Sequence, residues 1–526
     1  MKVAHISSTD LRGGAGRAAY GLHRDLSSIG IESKMLVRNK YSKDPDVFES
    51  SKEPKFYAKI RKLLNKLYIN QHRTPEWNTL FTIPWPGNDV SNHEILNKAD
   101  IIHLHWIWEF QSVVTISKLF KLGKPIVWTF HDQRAMTGGC HFTSNCTRYQ
   151  TVCYDCPQLI NNQFDVSHAI MKDQIDQWPA ELCTIICPSN WMAACARSSR
   201  LWKKSRIETV PYSVNTETYK PFDKIGCKTK LGLKTESKYI LFGAHQGNEI
   251  RKGYHLLIEA LEICHKDEWF INEISKEKII FLCFGIPNSE ITSRFKFIKS
   301  LGYISDESEL AVAYNACDFF ILPSIEDNLP NTVLESLSCG TPVIAFETGG
   351  VSDMVIDGET GWLASKGDSN QLAKKILDAA HGDVDSSSQR KACRSHIERK
   401  FSNINQASKL RSIYEDLMKN KNIIFNNIKN REPFEDINLD PGKHTGDVLL
   451  KIFRIIAHMN ISAINKIESR SCAKFCCALK RNLNGTNYPF DHNQFISLLK
   501  NANQKSNELI FSVIFRFRSL LSKFIY

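Results

Sequence analysis

The sequence has no uncharged apolar run approaching the ~20 residues needed to span a bilayer as a helix. That excludes an integral helical membrane protein. Its opening, MKVAHISSTD, lacks the apolar core of a signal peptide and has the pattern of a strand. The expected compartment is therefore the cytoplasm. No Asp-x-Asp pair follows a strand pattern: Asp383-Val384-Asp385 comes after a helix and before serines, as a surface loop would. Most of the chain also lacks any strong excess of one charge. Residues 443–526 hold 13 Lys and Arg against 4 Asp and Glu, +9 of the net +12, so the body carries only +3. Cysteine is not scarce, at 16. Most, such as Cys264, Cys283 and Cys317, stand in apolar contexts that suit buried thiols better than disulfides. At 526 residues and 42% hydrophobic, the chain has room for two domains or more.

The richest stretch runs from Ile321 to Gly350, ILPSIEDNLPNTVLESLSCGTPVIAFETGG. The apolar run from Phe319 to Leu322 predicts a buried parallel strand. An acidic loop follows, Ser324 to Asn331, and then a helix with Val333, Leu334 and Leu337 on one face. Gly340 ends that helix, and Pro342 opens a strand over Val343 to Phe346. In open α/β sheets ligands bind outside the carboxyl ends of such strands. Asp327 and Glu335, with seven residues between them, are placed to accept hydrogen bonds from vicinal hydroxyls of a sugar or ribose. Backbone N–H groups near Asn331 and Thr332, at a positive helix end, suit a phosphate.

This stretch resembles the donor-site signature of glycosyltransferase family 4: an acid, seven residues, a Glu, then a small-residue run into Gly-Thr-Pro-Val. Here it reads DNLPNTVLE and SLSCGTPVIAF. The acid is Asp327 where Glu is commoner, and Glu326 lies one place early. Either is a candidate for the donor sugar, with Asn328 beside them. The resemblance implies the GT-B fold, two Rossmann-like doubly wound α/β domains facing a cleft. It implies a nucleotide-sugar donor and no cofactor for catalysis.

Strand Lys2 to Ser7 leads into Leu11-Arg12-Gly13-Gly14-Ala15-Gly16-Arg17, which opens a helix. Glycines let a backbone approach a ligand, and the helix end favours an anion. In GT-B transferases this turn lies across the cleft from the donor phosphates, making Gly13, Gly14 and Arg17 candidates for a phosphate or acceptor. Residues Tyr41 to Asn92, with a helix-like Tyr57 to Leu67, read as an insertion over the first sheet. Strand Ile101 to His105 is followed by Trp106, Trp108 and Phe110, which suit sugar stacking and plain packing equally. Strand Pro125 to Phe130 ends in His131-Asp132. By position His131 matches the family His that approaches the donor sugar, with Asp132 placed to orient its ring.

Cys140, Cys146, Cys153 and Cys156 have the spacing C-x5-C-x6-C-x2-C. A structural zinc, four reduced thiols and disulfides all fit that spacing. A similar loop occurs in family members resembling those of colanic-acid and exopolysaccharide pathways. Pro211 to Pro221 resembles the family's inter-domain linker, with Tyr212, Ser213 and Asn215 departing from its usual wording. The chain thus divides into 1–210, acceptor side; 211–400, nucleotide-sugar side; 401–420, a helix crossing back; and 421–526, a basic helical appendage. In the second unit, Arg251-Lys252-Gly253 precedes helix His255 to Cys264, where cations would neutralise a diphosphate. The family's Arg stands about five residues before the Lys. Gly247 lies near that place here, and Arg251 is the substitute. Gly302 to Ser305 is expected near the base.

In the appendage, Val448 to Met459 and Leu509 to Ile525 mix apolar residues with Lys and Arg. They suit an anionic membrane face or a small helical domain. The leading expectation is a retaining glycosyltransferase of surface-polysaccharide assembly, with a saccharide or lipid-linked acceptor and no nucleic-acid partner. A sugar-nucleotide epimerase or phosphorylase on the same scaffold is the alternative enzyme. A nucleic-acid-binding protein using the Cys cluster and basic tail is the alternative outside enzymes.

Overall fold

The computed structural model describes residues 1–51, 58, 61–62, 64–74, 79–160, 164–244, 249–285, 289–382, 386–420, 443–445 and 447–449. Two separate parallel sheets organise them. The first holds seven strands: β1 (Lys2–Thr9), β2 (Glu32–Asn39), β3 (Val47–Glu49), β4 (Ile101–Leu104), β5 (Ile126–Thr129), β6 (Cys183–Cys187) and β7 (Arg206–Thr209). Their order is β3-β2-β1-β4-β5-β6-β7. The second holds β8 (Lys238–Ala244), β9 (Ile279–Gly285), β10 (Ile298–Gly302), β11 (Phe319–Leu322), β12 (Val343–Glu347) and β13 (Gly361–Ser365). Their order, β10-β9-β8-β11-β12-β13, repeats the first six positions of the first sheet. In each sheet the order reverses beside the first strand, and the crevice at that switch point opens at the strands' carboxyl ends.

Both sheets are covered on both faces, as parallel sheets require. In the second, Tyr239, Leu241, Phe320, Leu322 and Val343 face the helices Glu307–Ala316 and Asn331–Ser338. The alternating residues Ile240, Phe242, Phe319, Ile321 and Ile344 face Tyr254–Cys264 and Ser369–His381. In the first, Trp128, Trp178 and Trp202 fill one face. The other face packs on Gly13–Ser28 and on the returning helix Asn403–Lys419, through Leu22, Leu26, Val127, Ile186, Leu410, Ile413 and Tyr414. The chain therefore crosses between lobes twice. The crossings touch, with Val214 N donating to Phe401 O at 3.1 Å and Val214 bridged to Ser402.

The sequence reading places the strands Phe319–Leu322 and Val343–Phe346 and the helix Glu307–Ala316 within a residue. It does not anticipate β2, β3, β7 or β10, and it takes the start of β13 for a turn. Trp108 and Phe110 are buried in the first lobe's core, so packing, not sugar stacking, is their role. Residues 57, 59, 60 and 63 of the helix-like Tyr57 to Leu67 lie outside the described residues, as do Asp383-Val384-Asp385, Gly247 and nearly all of 421–526. The part of the appendage that is described docks on the first lobe. Val448 and Leu449 are buried against Leu64, Tyr68, Phe81, Leu159 and Ile170. Asp173 accepts from the backbone N–H of His444 (2.9 Å) and Thr445 (2.6 Å). Val448, read as the start of a membrane-facing segment, is thus core. Among the described residues no helix is long and apolar enough to cross a membrane.

Candidate active site

The carboxyl ends of the two sheets meet, and the signature loop lies in the junction. The backbone first makes room for it. Gly349 has φ +53° and Gly350 follows it; a Cβ on either would stand 1.8 Å from Asp327 O or 1.7 Å from Asn328 O. Gly253, at φ +67°, would likewise strike Pro323 O at 1.8 Å. Only glycine lets these three turns close against the loop from Pro323 to Asn328.

Three residues of that loop then divide their work. Lys252 Nζ donates to Asp327 Oδ2 at 2.7 Å, and Arg251 Nη1 is 3.6 Å from the same oxygen. Asp327 Oδ1 accepts from the N–H of Asn328 at 3.1 Å. Burial pushes the Asp327 carboxyl up, but the two cations outweigh it and hold the group below its ordinary value. Arg251 also pairs with Glu249 at 2.6 Å and stacks on Phe142 of the first lobe at 4.0 Å. Asp327 is therefore the counter-ion of Lys252, not a carboxylate with both oxygens open to a sugar. Glu326 reaches the first lobe, accepting from Ser144 N (3.1 and 3.0 Å) and Ser144 Oγ (3.2 Å). Burial pushes its carboxyl up. Asn328 spans the junction too: Nδ2 donates to Phe130 O (2.9 Å) and His131 O (3.1 Å), and Oδ1 accepts from Ser189 Oγ (2.7 Å).

The second half of the signature is the helix Asn331–Ser338, which starts with no side-chain cap. Asn331 and Thr332 sit half-buried at that end, with Asn331 Nδ2 donating to Gly14 O at 3.4 Å. Gly13 and Gly14 lie in the first turn of Gly13–Ser28 and not in a loop before it. Glu335, 6% exposed, accepts from Tyr314 Oη at 3.0 Å. Burial raises its carboxyl, and the charge of Arg17, from the facing lobe, opposes that rise. Both signature acids thus spend their direct contacts within the second lobe, Asp327 on Lys252 and Glu335 on Tyr314.

His131 lies on the first lobe's side of the junction. Its Nδ1 meets Tyr212 Oη at 2.7 Å and its Nε2 meets His105 Nδ1 at 3.2 Å. Asp132 does not orient it. That carboxylate accepts from Arg134 N (2.9 Å) and Trp106 Nε1 (2.8 Å), and pairs with His141 Nδ1 (2.7 Å). Burial pulls His131 down to about 4, so it is neutral near pH 7 and a charge switch there is not available to it.

Residues 12–218 match the model of Glycosyltransferase Family 4, and residues 237–381 match that of Glycosyl transferases group 1. The Escherichia coli (strain K12) glycosyl transferase WcaC, named for colanic acid biosynthesis, is 26% identical over 365 residues, 66% of this chain and 83% of its own. Among solved structures, sucrose-phosphate synthase from Thermosynechococcus elongatus superposes with a TM-score of 0.53 at 19% identity, over 80% of this chain and 99% of its own. Anabaena HepE, solved with UDP-glucose, also gives 0.53, at 13% identity, over 79% of this chain and all of its own. The chain carries these two glycosyltransferase domains and is a glycosyltransferase. Its two sheets are those of the GT-B fold.

The cysteines of this transferase lie beside the Glu326 contact. Cys140, Cys146, Cys153 and Cys156 line one small cavity with Phe81 and Ser167, and all four are free thiols, so the disulfide reading does not hold. Burial pushes Cys140, Cys153 and Cys156 toward the protonated form. Zinc bonds of about 2.3 Å need sulfurs about 3.8 Å apart. Among the described residues the one set of three or more metal-capable groups within 4.8 Å of one another is His5, His103 and His105, not the cysteines. As placed, the thiols are not a zinc ligand set. Glycosyltransferases with these domains need no cofactor for catalysis.

Proposed function

We propose that the protein is a retaining glycosyltransferase that moves a sugar from a nucleotide sugar to a saccharide or lipid-linked saccharide in surface-polysaccharide assembly, whether exopolysaccharide, O-antigen or lipopolysaccharide. The observation that carries this is the meeting of the first lobe's glycine turn with the signature helix. Gly14 touches the uncapped start of that helix, the charge of Arg17 acts on Glu335, and the Arg251–Lys252–Asp327 cluster holds the signature loop. HepE, solved with UDP-glucose, and WcaC, named for colanic acid, support the donor class and the pathway class.

In this reading the second lobe, 211–400, holds the donor and the first, 1–210, the acceptor. The helix 401–420 returns to the first lobe, and 421–526 is a basic appendage suited to peripheral contact at the inner face of the membrane. Lys252, kept in place by Asp327, and Arg251 meet the diphosphate together with the helix N-terminus at Asn331 and Thr332. Glu335 holds the donor's hydroxyls, and Glu326 fixes the Cys loop against the site. The acceptor oxygen attacks the anomeric carbon from the face the diphosphate leaves. Its proton passes to the departing phosphate oxygen as the sugar–phosphate bond breaks. The positive groups stabilise that leaving charge.

The test is nucleotide release from a panel of nucleotide sugars, with and without oligosaccharide acceptors, for the wild type and Glu335→Ala. Acceptor-dependent release lost in a folded Glu335→Ala supports the reading. Near-normal turnover in that variant removes the donor-site assignment, and donor conversion without any acceptor makes the protein an epimerase.

A further inference from the structure

The buried histidines under the first sheet are not needed by the donor site as described, yet they run straight to it. His5 and His103 are register partners on β1 and β4, and His105 follows His103 at the spacing that keeps it on the same face. His5 Nδ1 is 2.9 Å from His105 Nε2, His105 Nδ1 is 3.2 Å from His131 Nε2, and His131 Nδ1 is 2.7 Å from Tyr212 Oη. The ring planes of His5, His103 and His105 are inclined to one another by 27–36°, with centroids 4.3–5.2 Å apart. His103 spends both nitrogens elsewhere, on Tyr414 Oη (2.6 Å) and Thr129 Oγ1 (2.7 Å). The arrangement is a hydrogen-bonded wire, not a metal site.

A wire of neutral imidazoles has two directions, because each ring carries one proton and the tautomers must follow one another. In one, Tyr212 donates to His131, His131 to His105 and His105 to His5, which leaves a buried Nε2–H on His5. In the other, every histidine is protonated on Nδ1, His131 donates to Tyr212, and His5 is left with a bare lone pair. His5 Nε2 is fully buried and has no partner. An orphaned buried N–H is the rarer of the two defects in proteins. At the other end, burial first and then the negative charges of Asp132 and Asp327 keep the Tyr212 hydroxyl protonated, so it has a proton to give.

Taking the junction as the sugar's place, as the proposed function does, we propose that Tyr212 and not His131 presents the hydrogen-bond donor to the transferred sugar, and that His5 and His105 are positioning residues that lock His131 with its proton on Nδ1. Both nitrogens of His131 are then engaged within the protein, and the hydroxyl of Tyr212 is the end of the wire. Tyr212 belongs to the segment joining the lobes and is 7% exposed. Its place in that segment ties the donor contact to the relative position of the lobes.

Two measurements test this. Nitrogen-15 spectra of histidine-labelled full-length protein report each tautomer directly and need no substrate. His5, His105 and His131 are expected as Nδ1–H; Nε2–H at His131 overturns the lock, whatever the enzyme's activity. With the sugar nucleotide that the release panel selects, Tyr212→Phe is expected to raise KM about tenfold, the worth of one neutral hydrogen bond, while inhibition by the bare nucleoside diphosphate stays unchanged. An unchanged KM, or an equal loss for the bare nucleotide, overturns the donor role. Absence of transfer with every sugar nucleotide sinks the proposed function and leaves the spectral result standing.

Discussion

Asn328 of the second lobe and His131 of the first are joined through the main chain, Asn328 Nδ2 donating to His131 O at 3.1 Å and to Phe130 O at 2.9 Å. A single amide thus pins the end of strand β5 to the signature loop. Asn328→Ala leaves two buried carbonyls and the Ser189 hydroxyl without that partner, at about 1–3 kcal/mol for the unsatisfied groups. The expected outcome is a 10- to 100-fold lower kcat/KM and a larger radius of gyration by small-angle scattering. Unchanged values of both would remove Asn328 as a clasp.

Asp327 is buried and Lys252 half-buried, so removing the lysine strands a buried charge, at about 3–5 kcal/mol. Lys252→Met is expected to lower Tm by several degrees and to weaken nucleoside-diphosphate binding at least tenfold in calorimetry. Lys252→Met combined with Asp327→Asn should regain much of the Tm but none of the nucleotide affinity. Recovery of both would mean that the lysine serves the fold alone.

The histidine wire makes stability depend on pH. Burial, first, and the neighbouring imidazoles hold His5 and His105 well below the ordinary 6.5, and burial takes His103 to about 3 and His131 to about 4. The unfolded chain therefore binds more protons below pH 6.5. Stability is complete above that value and is lost as pH falls toward 4. Each histidine contributes about 1.4 kcal/mol per pH unit through that window. Urea titrations between pH 7.5 and 5 should show this loss, with the slope reduced by about one proton in His103→Gln. An identical slope in the variant would place the titrating groups elsewhere.

Gly349→Ala tests the loop's seat. Its positive φ and the 1.8 Å approach to Asp327 O leave no space for a methyl group. The backbone must shift, and the substitution should cost at least about 1 kcal/mol. It should also lower activity more than the smaller surface change Gly358→Ala, where φ is +80° but nothing lies within 4 Å. Equal effects of the two on activity would show that strain, not crowding at Asp327, is what matters.

What the sequence made legible was local. The strand over Phe319–Leu322 is a short run of large apolar residues, and the helix after it has one apolar face, so both could be read without knowing their neighbours. The edge strands were not, because β7, Arg-Ile-Glu-Thr, and β10, Ile-Lys-Ser-Leu-Gly, are half exposed and carry too few apolar positions to stand out. The site behaved in the same way. Glu326, Asp327, Asn328 and Glu335 were found from the motif. Their partners were not, because Lys252 lies 75 residues from Asp327, Ser189 lies 139 from Asn328 and Ser144 lies 182 from Glu326. Asp132 was credited with orienting His131 because it is adjacent in sequence. The residues that hold the ring are 26 and 81 positions away. One clue did stand in the chain: His103 and His105 alternate in a strand that ends at the junction, which puts both imidazoles on one face.

The two passages of the chain between lobes lie side by side, fastened to each other at Val214 and Phe401. A door hung on a single cord can twist as well as swing; one hung on two adjoining cords keeps a defined axis. Parting the lobes therefore has to turn both passages together or break the contacts of Val214 with Phe401 and Ser402.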